Sequence, residues 1–144
     1  MPMIKIWIHL VWATKSRQPL LDKSIRQNVF QHMRTNAKEK GIHVDFINGY
    51  VDHVHLLISL NAEQTIAKTV QLIKGESSYW INKHHLCKEH FEWQDDYFAV
   101  SVSESGVDAV REYIKNQETH HAKKTFQQEY DEFMEKYGFQ LVKD

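Results

Sequence analysis

Val51-Asp52-His53-Val54-His55-Leu56-Leu57-Ile58-Ser59-Leu60 is the stretch on which the fold turns. Its β-branched and apolar content predicts a strand over Val51 to Leu60. Alternate residues of a strand project to opposite faces, so His53 and His55 share one side while Val54 and Leu56 point to the other. The run therefore separates a face that can meet one ion from a face that packs. Just upstream, Asn48-Gly49 is a strong turn dipeptide, and Ile42 to Ile47 predicts the partner strand of a hairpin.

Toward the N-terminus, Ile4, Ile6, Ile8, Leu10 and Trp12 alternate with Lys5, Trp7, His9 and Val11, which predicts a first strand. Pro19 and Asp22 break it. Ile25, Val29, Met33 and Ala37 then recur every four residues up to Gly41, a helix with a glycine stop. Toward the C-terminus, Thr65 can cap a second helix whose apolar side is Ile66, Val70, Ile73 and Trp80, with Gly75 a mild internal weakness. Phe98, Val100 and Val102 alternate as a last strand. Ser105-Gly106-Val107-Asp108 has the form of a capping box, predicting a third helix from there to about His121. Phe126, Tyr130, Phe133, Met134 and Tyr137 follow helical spacing in a C-terminal amphipathic helix within about 122–144.

The order strand, helix, strand, strand, helix, strand, then extra helices, predicts an α+β ferredoxin-like sandwich, an antiparallel sheet with helices on one face. At 144 residues and 42% hydrophobic, the chain suits one domain, 1–144. Such a fold hosts many functions, so function must come from a site. Lone Cys87 cannot form an internal disulfide, and no secretory leader or long apolar span is evident, so a soluble protein in the reducing cytoplasm is expected. Lys+Arg of 18 against Asp+Glu of 19 gives no global basic signal, so any nucleic-acid site must be a local patch.

Ten histidines would give about 0.7 His-x-His pairs by chance, so the spacing of His53 and His55 is not evidence by itself. Tyr113 and Gln117 supply an independent feature: four apart on the third helix, they share one face at the border of the Val107, Val110, Ile114 stripe. Taken alone, Tyr113 reads first as a boundary tyrosine with its ring packed and its hydroxyl in water. No general base is evident, and His120 with His121 reads as a surface pair. Asp52 either orients an imidazole or ends a turn.

In this order the chain resembles the HUH single-tyrosine transposases, short insertion-sequence enzymes acting on single-stranded DNA. The similarity lies in Gly49 to Ser59, Leu72 to Ser78, Trp93-Gln94, Tyr97, Ser101-Val102-Ser103 and Tyr113 to Gln117, and runs from about His9 to His121. The resemblance implies a single HUH endonuclease domain in which His53, His55 and Gln117 bind a divalent ion, Mg²⁺ or Mn²⁺, and Tyr113 is the nucleophile. It implies cleavage and rejoining at hairpin-bearing element ends through a 5′-phosphotyrosine, in a homodimer whose site can be completed in trans. Two imidazoles and an amide oxygen leave coordination positions open, as a catalytic ion needs. Lys15, Arg17, Lys74 and Lys115 are candidate phosphate contacts, and Trp93 or Tyr97 candidate base-stacking rings. The competing expectations are a domesticated relative that processes repeated hairpins and a non-catalytic ferredoxin-like nucleic-acid-binding module.

Overall fold

The structure, a computed structural model, describes residues 2–137. Its strands are β1 (Ile6–Ala13), β2 (His43–Gly49), β3 (His53–Leu60) and β4 (Phe98–Val102). Its helices are α1 (Lys23–Glu39), α2 (Ile66–Lys83), α3 (Val107–Lys115), α4 (Gln117–His121) and α5 (Phe126–Tyr137). The four strands form one antiparallel sheet in the order β2-β3-β1-β4. The two β-α-β crossovers thus interleave, as expected of a ferredoxin-like sandwich.

Strand alternation sorts the two faces. Ile8, Leu10 and Trp12 of β1 join Val54, Leu56 and Ile58 of β3 beneath α1 and α2, where Val29, Phe30, Met33, Val70, Ile73 and Ile81 complete a hydrocarbon core. Each fully buried aliphatic side chain there contributes about 1.5–3 kcal/mol. Gly41 ends α1 at φ +74, a conformation that a side chain disfavours. The Thr65 hydroxyl accepts the Lys68 N–H at 3.1 Å and starts α2 as expected.

Helices cover both faces, whereas one was expected. The face bearing His9, Val11, Ala13, His53, His55 and Leu57 lies under α3, α4 and α5. The apolar stripe of α5 is what docks there, Phe126 and Phe133 packing with Val11, Ala13 and Phe98. Residues 138–144, the end of the expected C-terminal helix, lie outside the described residues.

Three local expectations are corrected. Asn48-Gly49 is not the hairpin turn but the end of β2, paired with His55 and Val54. The chain turns at Tyr50–Asp52, and a Cβ on Gly49 would stand 2.2 Å from the His53 carbonyl oxygen, so the glycine serves close strand approach. The Ser105–Asp108 capping box does not form: Gly106 occupies the cap position without a side-chain bond, and Asp108 instead accepts from Arg111 at 2.9 Å. The helix expected to reach His121 breaks at Asn116 (φ −94, ψ 26), dividing α3 from α4. β1 is a central strand, and the sheet's edges are β2 and β4. Among the described residues no helix is long and apolar enough to cross a membrane.

Candidate metal and nucleophile site

β3 presents His53 and His55 to the second face, and both imidazoles are fully buried. Asp52 accepts a hydrogen bond from His53 Nδ1 at 2.8 Å, which keeps that ring's proton on Nδ1 and leaves Nε2 as a lone-pair donor. Asp52 thus both orients the imidazole and stands in the turn. His55 Nδ1 shares a proton with His9 Nε2 at 2.9 Å, while its Nε2 lies 3.0 Å from Glu129 Oε1. Burial lowers the pKa of His55 to about 4 and that of His9 to about 3, so both are neutral near pH 7.

Three ties hold α3 against the sheet. Arg111 clasps the Asp45 carboxylate at 2.7 and 2.8 Å, and the Asn48 amide donates to the carbonyls of Ile114 and Lys115 at 3.1 and 3.0 Å. Val107 and Ile114 are buried against Leu57. Arg26, itself buried, bonds Glu118 at 2.8 Å and links α1 to α4. The last turn of α3 and α4 therefore sit over the β2–β3 side of the sheet.

That docking brings the four sequence-identified site residues together within one chain. Gln117 is fully buried, its amide N–H bonds the Tyr113 carbonyl at 3.1 Å, and its Oε1 faces His53 Nε2 at 3.1 Å. With Asp52 holding the proton on Nδ1, these are two acceptors face to face, an arrangement that a cation between them relieves. The Tyr113 ring lies 5.5 Å from that of His55, and its hydroxyl donates to Glu129 Oε2 and lies 3.4 Å from His120 Nε2. Burial first, and then the Glu129 charge, push the phenol well above its ordinary pKa. Glu129 is the converse: burial opposes its ionisation, but the close approach of His121 and the bond from His55 outweigh it and hold the carboxyl well below its usual range. The trans exchange left open by the sequence is not needed for this geometry.

Three buried groups of the site were not recognised in the sequence. His121, read as half of a surface pair, has a side chain only 2% exposed, stacks on Tyr50 and lies 3.4 Å from Glu129 Oε2. Glu129, 1% exposed, enters from α5. His9 braces His55. Signals existed: His121 follows Gln117 by four residues, and Glu129 sits three after Phe126 and four before Phe133, a carboxylate inside an apolar stripe.

Three of the four candidate cations are engaged within the protein. Lys15 pairs with Glu92 at 2.9 Å, and Arg17 lies 5.2 and 5.3 Å from the ring centres of Phe126 and Tyr130. Lys74 is half-buried, donates to the carbonyls of Gln94, Asp95 and Asp96, and is lowered by burial to a pKa of about 8. Lys115 is exposed. Trp93 is buried with its indole N–H on Ser77 Oγ at 2.9 Å, so its ring supports the core rather than offering a stacking face. Tyr97, half-buried, borders a cleft of about 920 Å³ with Lys15 and Lys74.

The residues fit a divalent ion. One donor atom from each of His53, His55, His121 and Glu129 lies within 4.8 Å of all the others. His121 Nε2 is buried and makes no hydrogen bond, an orphaned atom at the edge of the same cluster.

Comparison with known proteins relates the chain to transposases. The family model described as transposase IS200 like matches residues 3–117. The ISDra2 transposase TnpA of Deinococcus radiodurans is 30% identical over 115 residues, covering 76% of this chain and 81% of that protein. A crystal structure of a candidate transposase from Deinococcus radiodurans superposes with a TM-score of 0.65 at 26% identity, covering 81% of this chain and 93% of that one. A REP-associated tyrosine transposase bound to a REP hairpin shares the fold, with a TM-score of 0.64 at 13% identity over 84% of this chain and 72% of that one.

Proposed function

Because the chain belongs to the IS200-like transposase family, we propose that it cuts and rejoins single-stranded DNA, with Tyr113 as nucleophile and His53, His55 and Gln117 holding a divalent ion. The observation that carries this reading is the convergence of Tyr113, Gln117, His53 and His55 on one buried spot of the sheet. The ion, when bound, supplies a Lewis acid that neutralises charge building on the scissile phosphate.

The chain's own residues account for the rest. The Tyr113 oxygen forms a bond to phosphorus as the bond to the 3′ oxygen breaks, giving a 5′-phosphotyrosine and a 3′ hydroxyl. The phenolic proton passes to Glu129, which already accepts its hydrogen bond, and the departing 3′ oxygen takes up a proton from water to become the hydroxyl. One phosphoester replaces another, so no nucleotide hydrolysis is required. A phenol, with an ordinary pKa near 10, leaves more readily than an alcohol, so a second 3′ hydroxyl can reverse the step and join new ends. His9 and Asp52 hold the two imidazoles in register for this work.

The proposal extends to hairpin-bearing strands, the kind of ligand held by the REP-bound neighbour, and to a homodimer, since β2 and β4 each leave a strand edge that a second copy can cover. Incubation with a hairpin oligonucleotide carrying a nicked suicide site should give a denaturation-stable protein–DNA band that requires a divalent ion. Tyr113→Phe should abolish the band while keeping the fold and hairpin binding. A band of undiminished intensity from Tyr113→Phe would reassign the nucleophile.

A further inference from the structure

The family match ends at Gln117, yet two of the four converging donors, His121 and Glu129, come from the segment beyond it. Both are nine-tenths buried or more, and neither position is explained by packing alone. A carboxylate in the apolar stripe of α5 costs free energy unless strongly partnered, and His121 Nε2 has no hydrogen bond at all. What surrounds them is the Nε2 side of His53 and His55.

The distances suit coordination. Glu129 Oε1 stands 3.0 Å from His55 Nε2 and 3.6 Å from His53 Nε2, and Glu129 Oε2 stands 3.4 Å from His121 Nε2. Ligands about 2.1 Å from one tetrahedral ion are separated from each other by about 3.4 Å. Three imidazoles and one carboxylate form a nitrogen-rich set. Mg²⁺ favours oxygen ligands and retains several waters, whereas Mn²⁺, Co²⁺ and Zn²⁺ accept imidazole readily.

We propose that His121 and Glu129 complete, with His53 and His55, a site that binds a first-row transition ion in preference to Mg²⁺ in the DNA-free protein. The inference rests on the divalent-ion reading above and, for the DNA-free protein, puts His121 and Glu129 where that reading has Gln117. Tyr113 gains a role in the same arrangement: its hydroxyl bonds Glu129 Oε2, so a Glu129 engaged through Oε1 links nucleophile and ion through one carboxylate.

Calorimetric titration of the full chain, without DNA, with MnCl₂ and separately with MgCl₂ tests this. Mn²⁺ should bind at least about tenfold more tightly than Mg²⁺, and Glu129→Gln and His121→Ala should each weaken Mn²⁺ by at least about tenfold, the loss that even outer-sphere partners cause. Co²⁺ provides a second readout: visible absorption well above that of the aqueous ion in the parent, diminished in both variants. Circular dichroism in chelator establishes that each variant is folded, and His121→Gln replaces His121→Ala if the latter is not. Parent-like Mn²⁺ affinity in both Glu129→Gln and His121→Ala, with binding lost in His53→Ala, overturns this inference and leaves the divalent-ion reading standing. Unchanged affinity in His53→Ala overturns both. Equal affinity of the parent for Mg²⁺ and Mn²⁺ overturns the ion preference.

Discussion

The two faces of the sheet are built from the same strands and differ in everything else. Under α1 and α2, Ile8, Leu10, Trp12, Val54, Leu56 and Ile58 pack into one cluster with apolar side chains of the helices. One residue away on each strand, His9, His53 and His55 are as deeply buried as their neighbours but meet a carboxylate, an amide and a phenol. Burial on the first face is favourable by itself. On the second it is tolerable only because each polar group has a partner or an ion to face. Stability should therefore reside on one face and chemistry on the other, separable one residue at a time.

The sharpest way to break that separation is to cut both faces of β3 side by side. His55→Ala should lower metal-dependent cleavage by about a hundredfold or more, the several kcal/mol that Lewis-acid stabilisation supplies. Leu56→Ala should instead cost about 2–5 kcal/mol of stability, read as a lowered denaturant midpoint, with cleavage per folded molecule preserved. If Leu56→Ala abolished cleavage while remaining folded, the two faces would not be independent.

How far this division was legible in the sequence depends on how local each signal is. The alternation at 53–58 declared it outright, and Thr65 and Gly41 declared their helix ends, because strand period, cap and stop are properties of a few neighbouring residues. Asn48-Gly49 misled because a good turn dipeptide is also a good narrow strand end. What decided between the two was pairing with His55 and Val54, which a turn propensity does not contain. The capping box at Ser105 lost Asp108 to Arg111, itself drawn in by Asp45, sixty-six residues away along the chain. His121 and Glu129 were hidden for the same reason. Each carries a local hint of burial, but only the docking of α5 over β1 says what they are buried against.

A smaller effect should distinguish the faces by titration. His9 and His55 have folded pKa values of about 3 and about 4 against an ordinary 6.5, lowered chiefly by burial. Between 6.5 and those values the unfolded chain takes up protons that the folded chain refuses, so their contribution to stability is complete above about pH 6.5 and is lost as the pH falls toward 4. The slope is at most about 1.4 kcal/mol per pH unit for each residue. Melting followed in chelator from pH 7 to pH 4.5 should show this loss, and His9→Gln should make it shallower. The hydrocarbon cluster has no titrating group to contribute, so Leu56→Ala should lower the whole curve without changing its slope. An acid slope identical in His9→Gln and the parent would mean that the histidine face is not its source.

The smallest expected effect tests whether the hydrocarbon face communicates with the chemistry at all. Thr65→Ala removes the hydroxyl that accepts the Lys68 N–H at the start of α2, leaving that amide to water, which typically costs about 1 kcal/mol. α2 packs on the opposite side of the sheet from Tyr113, and the loss is confined to its first turn. A small decrease in the denaturant midpoint should therefore accompany unchanged Mn²⁺ affinity and an unchanged yield of the Tyr113 adduct. If adduct yield fell in step with stability under conditions where the protein is almost wholly folded, the sheet would be transmitting strain from one face to the other. The two faces would then be a single mechanical unit, and the single-residue alternation of β3 would describe their composition but not their independence.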